Sequence, residues 1–312
     1  MNHSPTQGAG VSVIIPSYES QATARATLES LRQQTFRDFE TILVDSGRSD
    51  EVARIAGEFP EVRYHRSAQR LLPHAARNLG TTLVRSDVLV FTDPDVVAAP
   101  DWLEKLIATY RRVGMPVAGA VASLQRDWLE TGIHLTKFDL WLPGGKPRTV
   151  PVAASVNFLC SRQLLERAGG FDGGEMIGDT LLSWDLIRLG QTLQFAPDAI
   201  VYHDHRSSFA GFLRERFVRG ADFARLRAER ENWKASRTLA ILAASILPVR
   251  LIKLLARAFT CSRRADCVFD WLKTIPVIAA GHAAWLAGES EEYWRRLQTF
   301  RTHHGAKRPC ES

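Results

Sequence analysis

The sequence predicts an α/β protein: a mostly parallel central sheet flanked by helices, followed by a C-terminal helical appendage. Three observations carry this prediction. Short apolar runs alternate with amphipathic segments through the first 100 residues, the pattern of successive βαβ units. The chain, 312 residues with 45% hydrophobic and 24% charged, buries a large core yet is long for one domain. Its charge also changes sign: residues 206–312 carry 20 Lys and Arg against 10 Asp and Glu, whereas residues 1–205 carry 20 against 24. The division expected is a flexible N-terminus at 1–10, a sheet domain at 11–220, a helical region at 221–300 and a flexible tail at 301–312.

The elements follow in order. Val11–Ile15 is a buried strand ending at Pro16, Ala22–Gln34 a helix with Leu28 and Leu31 on one side, and Thr41–Val44 a strand ending at Asp45. Glu51–Glu58 reads as a helix, Val62–His65 as a strand, Pro73–Val84 as a helix and Val88–Thr92 as a buried strand. Asp101–Arg112 continues as a helix capped by Asp101 after Pro100. Between Gly114 and Pro151 the pattern loosens into strand and loop, with Pro143–Pro147 a candidate mobile loop. Gln163–Ala168 is a short helix stopped by Gly169 and Gly170; Thr180–Leu189 is a helix ended by Gly190. Leu193–Phe195 and Ile200–His203 read as two short strands.

In such sheets ligands bind beyond the carboxyl ends of the strands. Pro16, Asp45 and Asp93 all follow strand ends, so one crevice collects them. The strand Val88–Thr92 ends in Asp93-Pro94-Asp95. In extended chain, residues two apart share a face at roughly 7 Å, and Pro94 disfavours helix before it. Both carboxylates therefore address one ion, and Mg²⁺ or Mn²⁺ suits such oxygen ligands. A strand closed by an acidic turn is the competing reading.

Other classes are excluded. Gly144-Gly145-Lys146 is followed by Pro147 and has Leu140 where a P-loop needs glycine, and no GxGxxG follows the first strand. No repeat of 20 to 50 residues and no signature of nucleic-acid recognition is present. Cys160, Cys261, Cys267 and Cys310 lack metal-finger spacing, which suits reduced thiols. The first ten residues hold no Lys or Arg, and the apolar run after them is too short for a signal peptide.

Taken in order, VSVIIPSYE at 11–19, TILVDSGRSD at 41–50, Arg77, Asn78 and Gly80, the DPD triplet, GGFD at 169–172, Gly178-Asp179 and VYHDH at 201–205 resemble the family 2 glycosyltransferases of GT-A fold. The resemblance covers roughly residues 11–220. It implies an inverting enzyme that uses a nucleotide-diphospho-sugar. Pro16, Tyr18, Glu19, Asp45, Arg77 and Asp93 would contact the donor, Asp93, Asp95 and His203 a divalent metal, and Asp179 would be the general base. His205 competes with His203, and Glu175 and Asp172 are substitutes for Asp179. Two positions depart from the family: Arg48 stands where a small hydroxyl residue is usual, and Gly178 replaces a glutamate. The QxxRW motif of processive synthases is absent, which implies transfer of a single sugar.

After His205 come basic and aromatic residues, then two apolar stretches, Thr238–Val249 and Thr274–Ala287, both too short to cross a bilayer. Extended to Phe259, the first places Arg250, Lys253 and Arg257 on one helical face and Leu251, Ile252, Leu255 and Phe259 on the other. That pattern fits a helix lying in an anionic membrane surface, and a soluble bundle is the alternative. The expectation is a metal-dependent glycosyltransferase, using a UDP- or dTDP-linked sugar at the cytoplasmic membrane face and acting on a lipid-linked or cell-envelope glycan. Its alternatives are an inactive nucleotide-sugar-binding regulatory or scaffold protein and a nucleotidyltransferase, for which the loop after the first strand lacks glycine and lysine.

Overall fold

The computed structural model describes residues 10–124, 127–246 and 248–305, with side chains as far as Phe300. Within the expectations above, residues 1–9, Gln125, Arg126, Leu247 and residues 306–312, with Cys310, lie outside this description. The chain divides into two compact units: residues 1–125 with 140–205, and residues 126–139 with 206–312.

The first unit runs β1 (Val11–Ser17), α1 (Ala24–Arg32), β2 (Phe39–Asp45), α2 (Glu51–Gly57), β3 (Val62–Arg66), α3 (Pro73–Leu83), β4 (Val88–Thr92), β5 (Val96–Ala98), α4 (Trp102–Val113) and β6 (Val117–Ser123). The second unit's α5 (Trp128–Lys137) intervenes, then β7 (Arg148–Val150), β8 (Asn157–Ser161), α6 (Arg162–Arg167), α7 (Gly178–Arg188) and β9 (Leu193–His203) complete the first unit. The described strands form one sheet ordered β3-β2-β1-β4-β8-β6-β9-β5, with β7 also on β9. Pairs β1/β2, β1/β4, β2/β3 and β6/β9 are parallel. Pairs β4/β8, β6/β8, β5/β9 and β7/β9 are antiparallel. Following these directions across the sheet, six strands point one way and β5, β7 and β8 oppose them, the mostly parallel arrangement expected.

Packing explains these elements. Leu28 and Leu31 of α1 and Val52, Ile55 and Ala56 of α2 are buried, and β1 is buried throughout. Helix α3 lies so close to β1 that a Cβ on Gly80 would stand 2.5 Å from Ile14 Cγ2. In the middle of the sheet the Asn157 amide is fully enclosed. Its Nδ2 donates to the carbonyls of Ala120 and Ala199 at 2.8 and 2.9 Å, and its Oδ1 accepts from Trp102 Nε1 at 2.9 Å. Gly119 leaves room for that amide, since a Cβ there would stand 2.2 Å from Nδ2.

The structure corrects several expectations. The loosened stretch after Gly114 contains α5, capped by Asp127, which accepts from Glu130 N at 2.9 Å. The two late strands are one, β9, because the register slips at Gly119/Ala120 and accommodates Pro197–Ala199 without breaking the strand. Asp101 precedes α4 without capping it; its carboxylate takes Lys105 Nζ at 2.6 Å instead. Helix α7 begins at Gly178, so Asp179 lies in its first turn rather than before it.

The second unit comprises α5, α8 (Phe209–Arg230), α9 (Ala235–Ile246), α10 (Pro248–Arg264) and α11 (Val268–Gly305), which continues into the expected tail. Helices α8 and α11 meet backbone to backbone: a Cβ on Gly220 would be 2.2 Å from Trp285 O, and one on Gly288 would be 2.0 Å from Phe217 O. Trp233 stacks on Tyr293 at 5.6 Å within a core of Ala224, Ala228 and Leu242. Two residues of the expected basic face pair with buried carboxylates, Arg250 half-buried and Arg257 still exposed. Arg250 pairs with the buried Glu289 and Arg257 with the buried Asp139, the latter at 2.7 Å. Leu251, Leu255 and Phe259 are half-buried while Ile252 is exposed, which revises the two-faced pattern. Among the described residues no single helix is long and apolar enough to cross a membrane; α9 and α10, set at 67° to each other, pass that test only together.

His282 is fully buried, and among the described residues neither ring nitrogen has a hydrogen-bond partner. Burial, reinforced by the Arg216 and Arg257 charges, pushes its pKa down to about 3. Unfolded, the ring takes a proton near pH 6.5, whereas the folded ring stays neutral until about pH 3. Its contribution is therefore present above pH 6.5 and lost as pH falls, by at most about 1.4 kcal/mol per pH unit. Denaturant unfolding between pH 6.5 and 5 should show His282→Leu with a shallower acid dependence than wild type; parallel curves would refute the assignment.

Candidate active site

The carboxyl ends of the neighbouring strands β1 and β4 open into a cavity of about 320 Å³. Pro16 and Ser17 line it from the end of β1 and Tyr18 from just beyond, Asp93–Asp95 from beyond β4, and Arg70–Pro73 and Ala76 from the start of α3 and the loop before it. Met176 enters from the loop ahead of α7. The Arg70 guanidinium stands 4.4 Å from the centre of the Tyr18 ring, close enough for a cation–π contact. Of the residues singled out in the sequence, Pro16, Tyr18, Asp93 and Asp95 are therefore brought together.

Strand pairing adds His203. Val96 of β5 pairs with His203 of β9, and Asp204 N donates to Asp95 O at 2.8 Å, so the end of β9 is tied to the DPD turn. His203 Nε2 is 3.6 Å from Asp95 Oδ2. One ligand atom from each of Asp93, Asp95 and His203 lies within 4.8 Å of the others, a donor set of two carboxylates and an imidazole that fits Mn²⁺ or Mg²⁺. The competing His205 is buried, its ring stacked on His203 at 4.4 Å.

Arg77 is not an open clamp. It is 2% exposed, bonds Asp93 Oδ1 and lies 3.2 Å from His74 Nδ1, so it acts behind Asp93. Asp45 is likewise internal. Ser17 Oγ and Gly47 N donate to its Oδ1 at 3.1 and 3.0 Å, and the Tyr64 hydroxyl donates to its Oδ2 at 2.9 Å, fixing the turn after β2. Glu19 does not line the cavity. It adopts a left-handed φ of 52° and accepts from Arg48 N at 3.1 Å and Arg48 Nε at 3.2 Å. The Arg48 backbone bond, then its side chain, holds the Glu19 carboxyl below its usual range. Arg48, the departure noted in the sequence, is thus Glu19's partner.

Asp179 is half-buried in the first turn of α7. Its Oδ1 accepts from Thr180 N at 2.8 Å, while Oδ2 has a long 3.5 Å contact from Ser155 N. Ala153 N donates to Ser183 Oγ at 3.0 Å, and Ser183 Oγ to Asp179 O at 2.7 Å, which anchors this turn to the segment before β8. The exposed Asp172 closes a local turn by accepting from Gly174 N at 3.1 Å, and Glu175 is half-buried in the same loop. Sequence reasoning missed Arg70, Met176 and His74. Arg70 and His74 carry no motif, and the only signal for Met176 was the glycine-rich loop around it.

The chain resembles known proteins over this region. The pre-mycofactocin glycosyltransferase of Mycobacterium tuberculosis is 28% identical over 232 residues, 69% of this chain and 47% of that protein. This chain therefore spans about half the length of that relative. Glycosyltransferase AglE of Haloferax volcanii is 26% identical over 219 residues, 66% of this chain and 70% of its own. The mannosyltransferase PcManGT of Pyrobaculum calidifontis, solved with GDP-Man and Mn²⁺, superposes with a TM-score of 0.58 at 19% identity, covering 94% of this chain and 89% of that one. This likeness carries the fold, the GT-A arrangement expected. The family model described as glycosyl transferase family 2 matches residues 12–168, half of the chain and the stretch that holds Asp45, Arg77, Asp93 and Asp95, and the chain belongs to that family.

Proposed function

We propose that this chain is an inverting transferase that moves one sugar from a nucleotide-diphospho-sugar, UDP- or dTDP-linked, to a lipid-linked or cell-envelope glycan. The observation that supports it most is the Asp93, Asp95 and His203 cluster beside a cavity of nucleotide size. These three residues would hold Mg²⁺ or Mn²⁺, which when bound supplies Lewis-acid charge for the departing diphosphate. Tyr18 and Arg70 form an aromatic and cationic wall suited to the donor. Asp179 Oδ2 is the carboxylate oxygen with the weaker internal contact, and it would take the proton of the acceptor hydroxyl as the new bond forms.

The second unit supports a peripheral site at the cytoplasmic face of a membrane. Leu239, Ile246, Val249 and Ile252 are exposed on α9 and α10, and Lys253, Arg263 and Arg264 are exposed on α10. Lys253 and the end of α10 are then the groups that meet anionic lipid first, since Arg250 is half-buried on Glu289 and the exposed Arg257 is paired with Asp139.

Three outcomes follow. Asp95→Asn should abolish turnover and weaken metal-dependent binding of UDP or dTDP while leaving the unfolding midpoint near wild type. Asp93→Asn should in addition strip Arg77 of its carboxylate and cost roughly 2–3 kcal/mol, less than a fully buried pair because Asp93 is partly exposed. Turnover in excess chelator, or equal stability of both variants, contradicts this division of roles.

Asp179→Asn keeps shape and removes the base. Transfer should fall by roughly 100-fold or more with donor binding retained, measured as released nucleoside diphosphate across UDP-, dTDP- and GDP-sugars; near-normal transfer, with Glu175→Gln inactive, would move the base to Glu175.

Replacing Lys253, Arg263 and Arg264 together by Gln should weaken binding to anionic vesicles, on a scale of about 1 kcal/mol per cation near the surface. The effect should be largest at low salt. Indifference of the native protein to such vesicles would favour a soluble bundle.

A further inference from the structure

Helix α3 reaches both halves of the site. On one side its Arg77 holds Asp93. On the other its Asn78 grips the loop ahead of α7, donating from Nδ2 to Phe171 O at 2.7 Å and accepting at Oδ1 from Phe171 N at 3.0 Å. His74 shares the Arg77 face, being three residues away on the helix. It is 4% exposed, and its ring stacks on Phe171 with centroids 5.2 Å apart and planes 18° apart.

The same ring fixes residue 178. A Cβ built on Gly178 would stand 2.7 Å from both Cγ and Cδ2 of His74, and 2.7 Å from Asp172 O. The imidazole thus fills the space that any side chain at 178 would need, directly against the residue before Asp179. Arg77 Nη1 is 3.2 Å from His74 Nδ1. A guanidinium only donates, so Nδ1 accepts and the ring proton sits on Nε2. A phenyl ring, somewhat larger, would keep the stack on Phe171 and the cover over Gly178 without accepting that bond.

We propose that His74 is a positioning residue: its contact with Gly178 and its bond from Arg77 set the start of α7, and with it Asp179, against the Asp93 carboxylate. The inference rests on Asp179 being the base, and it makes Gly178 and His74 one interlocked pair.

The test uses the full chain with four changes: His74→Phe, His74→Ala, Gly178→Ala and the His74→Ala/Gly178→Ala double variant. Amide hydrogen exchange over residues 171–182, binding of UDP with Mn²⁺, and steady-state transfer with the best donor are measured for each. His74→Ala should speed exchange in that segment by roughly tenfold while β1 and β4 stay protected. His74→Phe should keep the protection but lower kcat by about tenfold with donor KM within about threefold, the signature of a misplaced base rather than a lost donor contact. Gly178→Ala should accelerate exchange at least about fivefold more in the wild-type background than beside His74→Ala. The Asp172 contact is common to both backgrounds and cancels in that comparison. Equal effects of Gly178→Ala in both backgrounds, or wild-type kcat in His74→Phe, would overturn the proposal. If wild-type protein transfers no sugar, the catalytic reading fails on its own, and the exchange comparison still decides whether His74 sets the start of α7.

Discussion

A guanidinium that is 2% exposed is costly to bury unless an opposite charge faces it, and Arg77 has the Asp93 carboxylate for that purpose. The pair joins the middle of α3 to the end of β4, the strand between β1 and β8. Much of the site follows from this joint. It fixes where the DPD turn leaves the sheet, draws α3 over the sheet where Gly80 admits Ile14, and leaves Asp93 with one oxygen committed to arginine. Asp95 and His203 place atoms able to bind a metal beside it.

The antiparallel β8 has a second effect. Because it lies beside β4 with Thr92 opposite Asn157, the segment before β8 returns to the end of the sheet where the DPD turn lies. Ser155 N and Ala153 N from that segment then meet Asp179 and Ser183 of α7. A chain read from one end to the other separates these pieces by tens of residues; the sheet order joins them.

That separation sets what the sequence could reveal. The strands β1 to β4 and helices α1 to α4 are legible because apolar periodicity is a local property, and the DPD turn is legible because two carboxylates end an apolar run. Helix α5 was not, since its buried face includes His134 and Thr136 and its capping is local to Asp127. The single strand β9 reads as two because Pro197 and Asp198 interrupt a pattern that the sheet absorbs as a register slip. The partners of three arginines are hidden from the sequence for one reason. Arg77, Arg250 and Arg257 look like solvated helix positions, and their partners lie 16, 39 and 118 residues away. Long-range charge pairing leaves no mark on local pattern, so the sequence does not show that Arg77 is held by Asp93, Arg250 by Glu289 and Arg257 by Asp139.

The glycine contacts between α8 and α11 bear on what the second unit presents to its surroundings. Helices seated carbonyl against Cα at Gly220 and Gly288 have no side-chain layer between them to deform, so neither rotates nor slides without breaking van der Waals contact along the seam. Helix α9, through Leu242, and Trp233 just ahead of it pack on Tyr293 of α11, so α9 inherits that stiffness. The exposed Leu239 and Ile246 are then fixtures of a preformed surface rather than residues of a flexible arm, and whatever meets them does so with little loss of chain entropy.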